Sequence, residues 1–267
     1  MLKDNISKKP LGIVCDFNGS ARTVSIDKDF FSSLGLKFEC INSEPARIVH
    51  RIVPEGESLK PCEALLEKKH NHDASFTIGY VPDCDGDRGN LVIWDDAQAA
   101  EGDDVLLNSL STPTKGRHII KKARALEAQE VFALACVAEF SHLVFTGDLA
   151  FDENGKPLSK TAVAINDPTS MRIDRIAESF GISVFRAEVG EANVVGLARK
   201  LREQGYIVRI LGEGSAGGNI THPSAVRDPV NTVLALVKLL AVRSGNGKEG
   251  LFEIWCKRSG QTHLLPR

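Results

Sequence analysis

Three aspartates spaced two apart, Asp83, Asp85 and Asp87, lie in the stretch YVPDCDGDRGNLVIW, with Arg88 directly after them. Residues two apart in extended backbone point the same way, so three carboxylates converge on one point. Left uncompensated, they repel one another. A hard divalent cation removes that repulsion, and an oxygen-only donor set favours Mg²⁺, Mn²⁺ or Ca²⁺ over zinc. Three protein ligands leave coordination positions open, as a metal that also grips a phosphate oxygen requires. The same letters suit an exposed acidic turn, where Asp and Gly are common through turn chemistry alone. An EF-hand fits poorly: with Asp83 as position 1, Arg88 falls where that loop needs Gly and Trp94 where it needs a bidentate Glu.

A second stretch, ILGEGSAGGNITHPSAVRDP, contains G-x-G-x-x-G at Gly212, Gly214 and Gly217. A dinucleotide fingerprint opens directly into a helix, whereas here Pro223 intervenes and the next helix begins near Asp228. A flexible glycine loop with incidental polar residues gives the same pattern. In RAEVGEANVV, Gly190 ends a strand just before a helix, where backbone N–H groups can face an anion; a plain strand-to-helix turn needs no such role. His50, His70, His72, His118, His142 and His222 show no metal-ligand spacing and read as solvated or locally bonded.

The elements that must hold these segments follow an α/β pattern. Short apolar runs rich in Val, Ile and Phe (LGIVCDF, FECIN, SFTIGYV, NLVIW) surround a helical SLKPCEALLEKKH. After the polar NSLSTPTKGRH the alternation restarts: helix EAQEVFALACVAEF, strand TAVAIN, helix SMRIDRIAESF, strand SVFRAEV, helix ANVVGLARKLREQ, strand YIVRILG. Asp228 and Pro229 are the cap and first turn of a further helix, and the tail GLFEIWCKRSGQTHLLPR is ambiguous.

The 267 residues suffice for one large or two ordinary domains, and a formal charge of -2 provides no global basic field for nucleic acid or an anionic membrane. The N-terminus lacks a signal-peptide apolar region. TVLALVKLLAV, read as the most apolar helix candidate, is too short to span a bilayer and carries Lys238. Six scattered cysteines suit reduced thiols, so the expectation is a soluble, cytoplasmic chain.

DCDGDR, set between an apolar strand and GNLVIW, resembles the metal-binding loop of the α-D-phosphohexomutases, the phosphoglucomutase and phosphomannomutase family, usually written D-G-D-G-D-R. The resemblance implies Mg²⁺ held by Asp83, Asp85 and Asp87, a supporting catalytic role for Arg88, and Cys84 in place of the usual glycine. GEGSAGG resembles the family's sugar-recognition loop, G-E-x-S-G, which implies that Glu213 and Ser215 hydrogen-bond hexose hydroxyls; Ala216 and an extra glycine depart from the pattern. A carboxylate accepts from adjacent hydroxyls, and a serine both donates and accepts. The turn at Gly190 is similar to a family turn near substrate phosphate that is normally followed by a basic residue, but Glu191 and Ala192 stand here.

The resemblance runs from LGIVCDF to VKLLAVR. It implies two consecutive three-layer α/β/α domains with mixed sheets: a metal-loop domain II over residues 1–112 and a sugar-recognition domain III over 119–267, with a linker at about 108–118. No segment resembles the family's phosphoserine loop, T-x-S-H-N-P, or its C-terminal phosphate loop, R-x-S-G-T. The implied function is that of a portion of an isomerase that interconverts hexose 1-phosphate and hexose 6-phosphate by Mg²⁺-dependent phosphoryl transfer. Its implied partners are a hexose phosphate and the missing domains of the same protein, with no nucleic acid and no membrane, and the chain alone is expected to be inactive. Two other readings stay open. One is a noncatalytic sugar-phosphate or metal-binding module. The other is a haloacid dehalogenase-type phosphatase, whose D-x-D-x-T/V motif puts Asp87 at the Thr or Val position.

Overall fold

A computed structural model describes residues 1–95, 122–214, 218–245 and 247–265; the expected linker lies outside them. The first sheet contains β1 (Gly12–Asp16), β2 (Lys37–Ile41), β3 (Phe76–Pro82), β4 (Gly89–Asp95) and β5 (Lys122–Ala125), accompanied by α1 (Leu2–Lys8), α2 (Asp27–Ser33) and α3 (Lys60–His72). Its strand order is β2-β1-β3-β4-β5, with β1 parallel to β2 and β3 and the β3–β4 and β4–β5 pairs antiparallel. The second contains β6 (Thr161–Asn166), β7 (Ser183–Ala187), β8 (Ile207–Gly212) and β9 (Asn219–Thr221) in the order β7-β6-β8-β9, where only the β8–β9 pair is antiparallel. Helices α4 (Ala128–Thr146), α5 (Arg172–Ser179), α6 (Glu191–Glu203), α7 (Pro229–Ala241) and α8 (Leu251–Arg258) accompany it. The fold is the mixed-sheet α/β architecture expected, and α8 resolves the ambiguous tail as helix.

Both faces of the central strands are covered, which is why they read as near-continuous apolar runs. In β1, Ile13 and Cys15 join one apolar layer and Val14 the opposite one, against Cys62 and Leu66 of α3. In β6, Val163 and Ile165 face the layer that holds Phe140 of α4, while Ala162 and Ala164 face Val194 and Ala198 of α6. Asp228 caps α7 by accepting from the Val230 N–H at 2.9 Å, with Pro229 in the first turn, as the sequence predicts. This helix serves both sheets. Val230, Val233 and Val237 pack into the first sheet's core, and Ala235 and Leu239 into the second's.

One expectation needs correction. A second unit starting at residue 119 is too early, because β5 completes the first sheet with Ala125 opposite Val92 and Lys122 opposite Asp95. KARA is too short and charged to read as a strand, yet it covers the edge of β4. Its own outward N–H groups are satisfied by α3: Ala123 donates to Glu67 at 3.2 Å and Ala125 to Glu63 at 2.8 Å. TVLALVKLLAV forms most of α7, an apolar helix of 13 residues, as read, and a longer apolar helix stands beside it. Helix α4 has 19 residues and a mean hydropathy of 1.3 over its most apolar window, enough by length and composition to cross a membrane. It is a core helix here, with Phe132, Cys136 and Phe140 buried and Glu139 paired to Arg209 and Lys238.

Candidate active site

The acidic loop is the turn of the β3–β4 hairpin, where Pro82 pairs with Gly89. The Asp83 N–H donates to the Arg88 carbonyl at 3.0 Å. The Asp83 side chain then organises the turn from within: Oδ1 accepts from the N–H groups of Gly86 and Arg88, each at 3.1 Å, and Oδ2 accepts from Arg88 Nε at 2.9 Å. Gly86 takes φ +79°, and a β-carbon there would meet Cδ of Arg22 at 2.6 Å, so the turn needs glycine twice over. One carboxylate oxygen from each of Asp83, Asp85 and Asp87 lies within 4.8 Å of the others, with Asp83 buried, Asp85 exposed and Asp87 between.

Burial holds the Asp83 carboxyl above the usual carboxylate range, with repulsion from Asp85 and Asp87 adding to the effect against the hydrogen bonds from Arg88. Asp87 Oδ1 is buried without a hydrogen-bond partner. Crowded carboxylates, one of them resisting ionisation and another with a bare buried oxygen, fit a hard divalent cation. Cys84 is exposed and stands outside the cluster. Its carbonyl accepts from the Ala21 N–H at 2.9 Å, which ties the hairpin to a 3-10 turn at Ala21–Val24. From that turn Arg22 reaches Asp27, donating from Nε at 3.0 Å, and Tyr80 donates its hydroxyl to the same carboxylate at 2.5 Å.

The glycine loop of the second unit connects β8 to the antiparallel β9, with Gly212 opposite Asn219. No helix follows it directly, which removes the dinucleotide reading. Glu213 follows β8, and its N–H donates to the Gly218 carbonyl at 3.1 Å. Its Oε1 accepts from the Gly190 N–H at 2.9 Å and from Asn166 Nδ2 at 3.2 Å. Gly190, at φ +126°, caps α6 and aims its amide at Glu213, so this N–H orients the carboxylate in place of an external anion. Thr169 Oγ1 accepts from the Gly214 N–H at 3.1 Å and holds the loop from below. Ser215 lies outside the described residues.

The two loops meet. Arg227 Nη2 bonds to Asp87 Oδ2, and Arg227 Nε lies 3.0 Å from Glu191 Oε2, so one guanidinium links the acidic hairpin to the start of α6. A β-carbon on Gly218 would lie 3.0 Å from Arg227 Cδ and 3.8 Å from Arg88 Cδ. Arg22 Nη1 stands 3.4 Å from Asp228 Oδ1 and makes a second link. Sequence reasoning missed Arg227, Arg22, Asn166 and Thr169. The arginine of VRDP was visible as a cation one residue before a helix cap, but its partner Asp87 lies in a distant part of the chain.

An α/β chain of two mixed sheets that sets an acidic hairpin against a glutamate-bearing glycine loop is the class that this fold and geometry define. Residues 143–256 match the family model described as phosphoglucomutase/phosphomannomutase, α/β/α domain III. The chain is similar to a Thermus thermophilus protein assigned as a phosphomannomutase, at 18% identity and a TM-score of 0.60, covering 98% of this chain and 48% of that one. It is similar to a phosphoglucomutase/phosphomannomutase family protein from Burkholderia thailandensis at 15% identity and a TM-score of 0.57, covering 99% and 46%. An N-acetylglucosamine-phosphate mutase of the α-D-phosphohexomutase superfamily, solved in a substrate complex, aligns at 10% identity and a TM-score of 0.51, covering 96% and 46%. A comparison with curated proteins finds no match. Residues 143–256 thus match a phosphohexomutase domain III model, the chain as a whole shares the fold of these solved structures, and it spans about half their length.

Proposed function

We propose that this chain supplies the metal loop and the sugar-recognition loop of a phosphohexomutase that interconverts hexose 1-phosphate and hexose 6-phosphate. The observation that carries the reading is the junction of the Asp83, Asp85 and Asp87 cluster with the Glu213 loop through Arg227 and Gly218. Asp83, Asp85 and Asp87 would hold Mg²⁺, which when bound offsets charge on a transferring phosphoryl group. Arg88 supports that centre by fixing Asp83 through Nε. Glu213, aimed by the Gly190 amide and Asn166, accepts hydrogen bonds from sugar hydroxyls, with Ser215 as the second polar contact of that loop. Gly190 thus serves substrate binding through Glu213. The phosphoseryl group and the C-terminal phosphate loop belong to domains outside these residues.

Two measurements test this reading. Calorimetry with Mn²⁺ or Mg²⁺ is expected to show one site that is lost in Asp85→Ala, an exposed position whose substitution should shift stability by less than about 0.5 kcal/mol. Mutase assays are expected to show no turnover by the 267 residues alone and turnover when a phosphoserine-bearing domain is supplied. Robust turnover by the chain alone would sink this division of labour.

A further inference from the structure

We infer that Arg227 is a positioning residue for the metal site: it grips one oxygen of Asp87 so that the other faces the carboxylate cluster, and it makes that site depend on the second unit. The inference rests on the metal reading above and concerns a residue outside the acidic loop. Asp87 is half-buried at a hairpin tip, and the terminal torsion of a carboxylate is broad, so nothing intrinsic fixes which oxygen it presents. Arg227 Nη2 occupies Oδ2, which leaves the buried Oδ1 without a hydrogen-bond partner and 3.4 Å from Arg88 Nε. Arg227 is itself flanked by the Glu191 carboxylate, 3.0 Å from Nε as an ion pair without a hydrogen bond, and by Gly218 against its stem. A planar guanidinium between two carboxylates has its donor directions fixed by its plane, whereas the donors of an ammonium rotate.

The charges around Asp87 make the sign of the effect decisive. Asp83 and Asp85 attract a cation, while Arg88 and Arg227 repel it. If Arg227 were only a counter-charge, removing it would strengthen metal binding. As a positioning residue its removal weakens binding, because hydrogen-bond partners that orient ligating groups are typically worth about 10- to 100-fold in metal affinity.

The test is Mn²⁺ calorimetry on the full chain, with thermal melts run alongside, for wild type, Arg227→Ala, Arg227→Lys, Glu191→Gln and Asp85→Ala. Arg227→Ala is expected to weaken Mn²⁺ binding by roughly 10- to 100-fold. Arg227→Lys should rescue part of that loss. Glu191→Gln, which loosens Arg227 without touching the hairpin, should weaken binding in the same direction by less, and it carries the test if Arg227→Ala fails to fold. Unchanged or tighter binding in Arg227→Ala or Glu191→Gln, with wild-type binding abolished by Asp85→Ala, would overturn the positioning role and leave the metal reading intact. No Mn²⁺ binding by the folded wild-type chain would overturn both.

Discussion

Replacing Glu139 with alanine is expected to lower the unfolding free energy by about 3–5 kcal/mol, the usual cost of removing one partner from a buried ion pair. Glu139 is 1% exposed in the middle of α4, and its two oxygens are taken by Arg209 Nε at 2.8 Å and by Lys238. Burial opposes its charge, but Lys238 and Arg209 outweigh that and hold the carboxyl below its ordinary range. The same burial holds Lys238 below its usual range, so the stabilising side of the cluster is the carboxylate. A carboxylate lowered in the fold contributes stability above its unfolded pKa and loses it as pH falls through the folded value. The deficit of Glu139→Ala should therefore be full near neutral pH and shrink in acid. Urea unfolding near neutral pH and again in acid measures this, and a deficit below about 1 kcal/mol at neutral pH would remove the cluster from the main supports of the fold. Pairing Glu139→Leu with Lys238→Met should cost less than the two single losses added together, because the double change strands neither Glu139 nor Lys238 and leaves only Arg209, which keeps its bond to the His222 carbonyl, without a carboxylate. Arg209 also donates from Nη1 to the His222 carbonyl at 2.6 Å, on the segment leading to Arg227, so this buried cluster underlies the candidate site as well.

The features legible in the sequence are those written locally. Alternation and apolar runs marked the strands from LGIVCDF to YIVRILG, turn chemistry marked the DCDGDR hairpin, and the Asp228–Pro229 pair marked the start of α7. What could not be read depends on pairs far apart in the chain. KARA becomes a strand only because β4 offers it an edge and Glu63 and Glu67 satisfy its outer amides. Gly190 was read as facing an anion, yet its amide meets Glu213, which lies beyond the next helix and strand. His50 read as solvated or locally bonded, yet its Nε2 lies 2.9 Å from the fully buried carboxylate of Asp16 on β1, while His70 is locally bonded, to the Phe76 carbonyl at 2.7 Å, and stacks on Trp94 at 3.8 Å. Glu139 sat in an apolar helix where the sequence showed no partner, since Arg209 and Lys238 come from β8 and α7.

Asp27→Ala is expected to cost about 3 kcal/mol or more of stability and to weaken metal binding as well, because it removes the anchor beneath the acidic hairpin. Asp27 is fully buried at the first position of α2, and it gathers the Tyr80 hydroxyl from β3 together with Nε and Nη2 of Arg22. Removing the carboxylate strands the donors of two side chains at once. It also frees Arg22, whose stem lies under Gly86 and whose Nη1 reaches Asp228 at 3.4 Å. The buttress of the hairpin and one of the links between the two units then loosen together. Asp27→Asn keeps the shape and one acceptor, so it should lose less stability, although a neutral amide no longer balances the Arg22 charge. Chemical denaturation and Mn²⁺ calorimetry on both variants separate the two effects. If Asp27→Ala melts like wild type, the Tyr80 and Arg22 hydrogen bonds contribute nothing measurable. If it is destabilised yet binds Mn²⁺ with wild-type affinity, then the hairpin is held by Asp83 and its own turn bonds, and the carboxylate cluster owes nothing to Arg22.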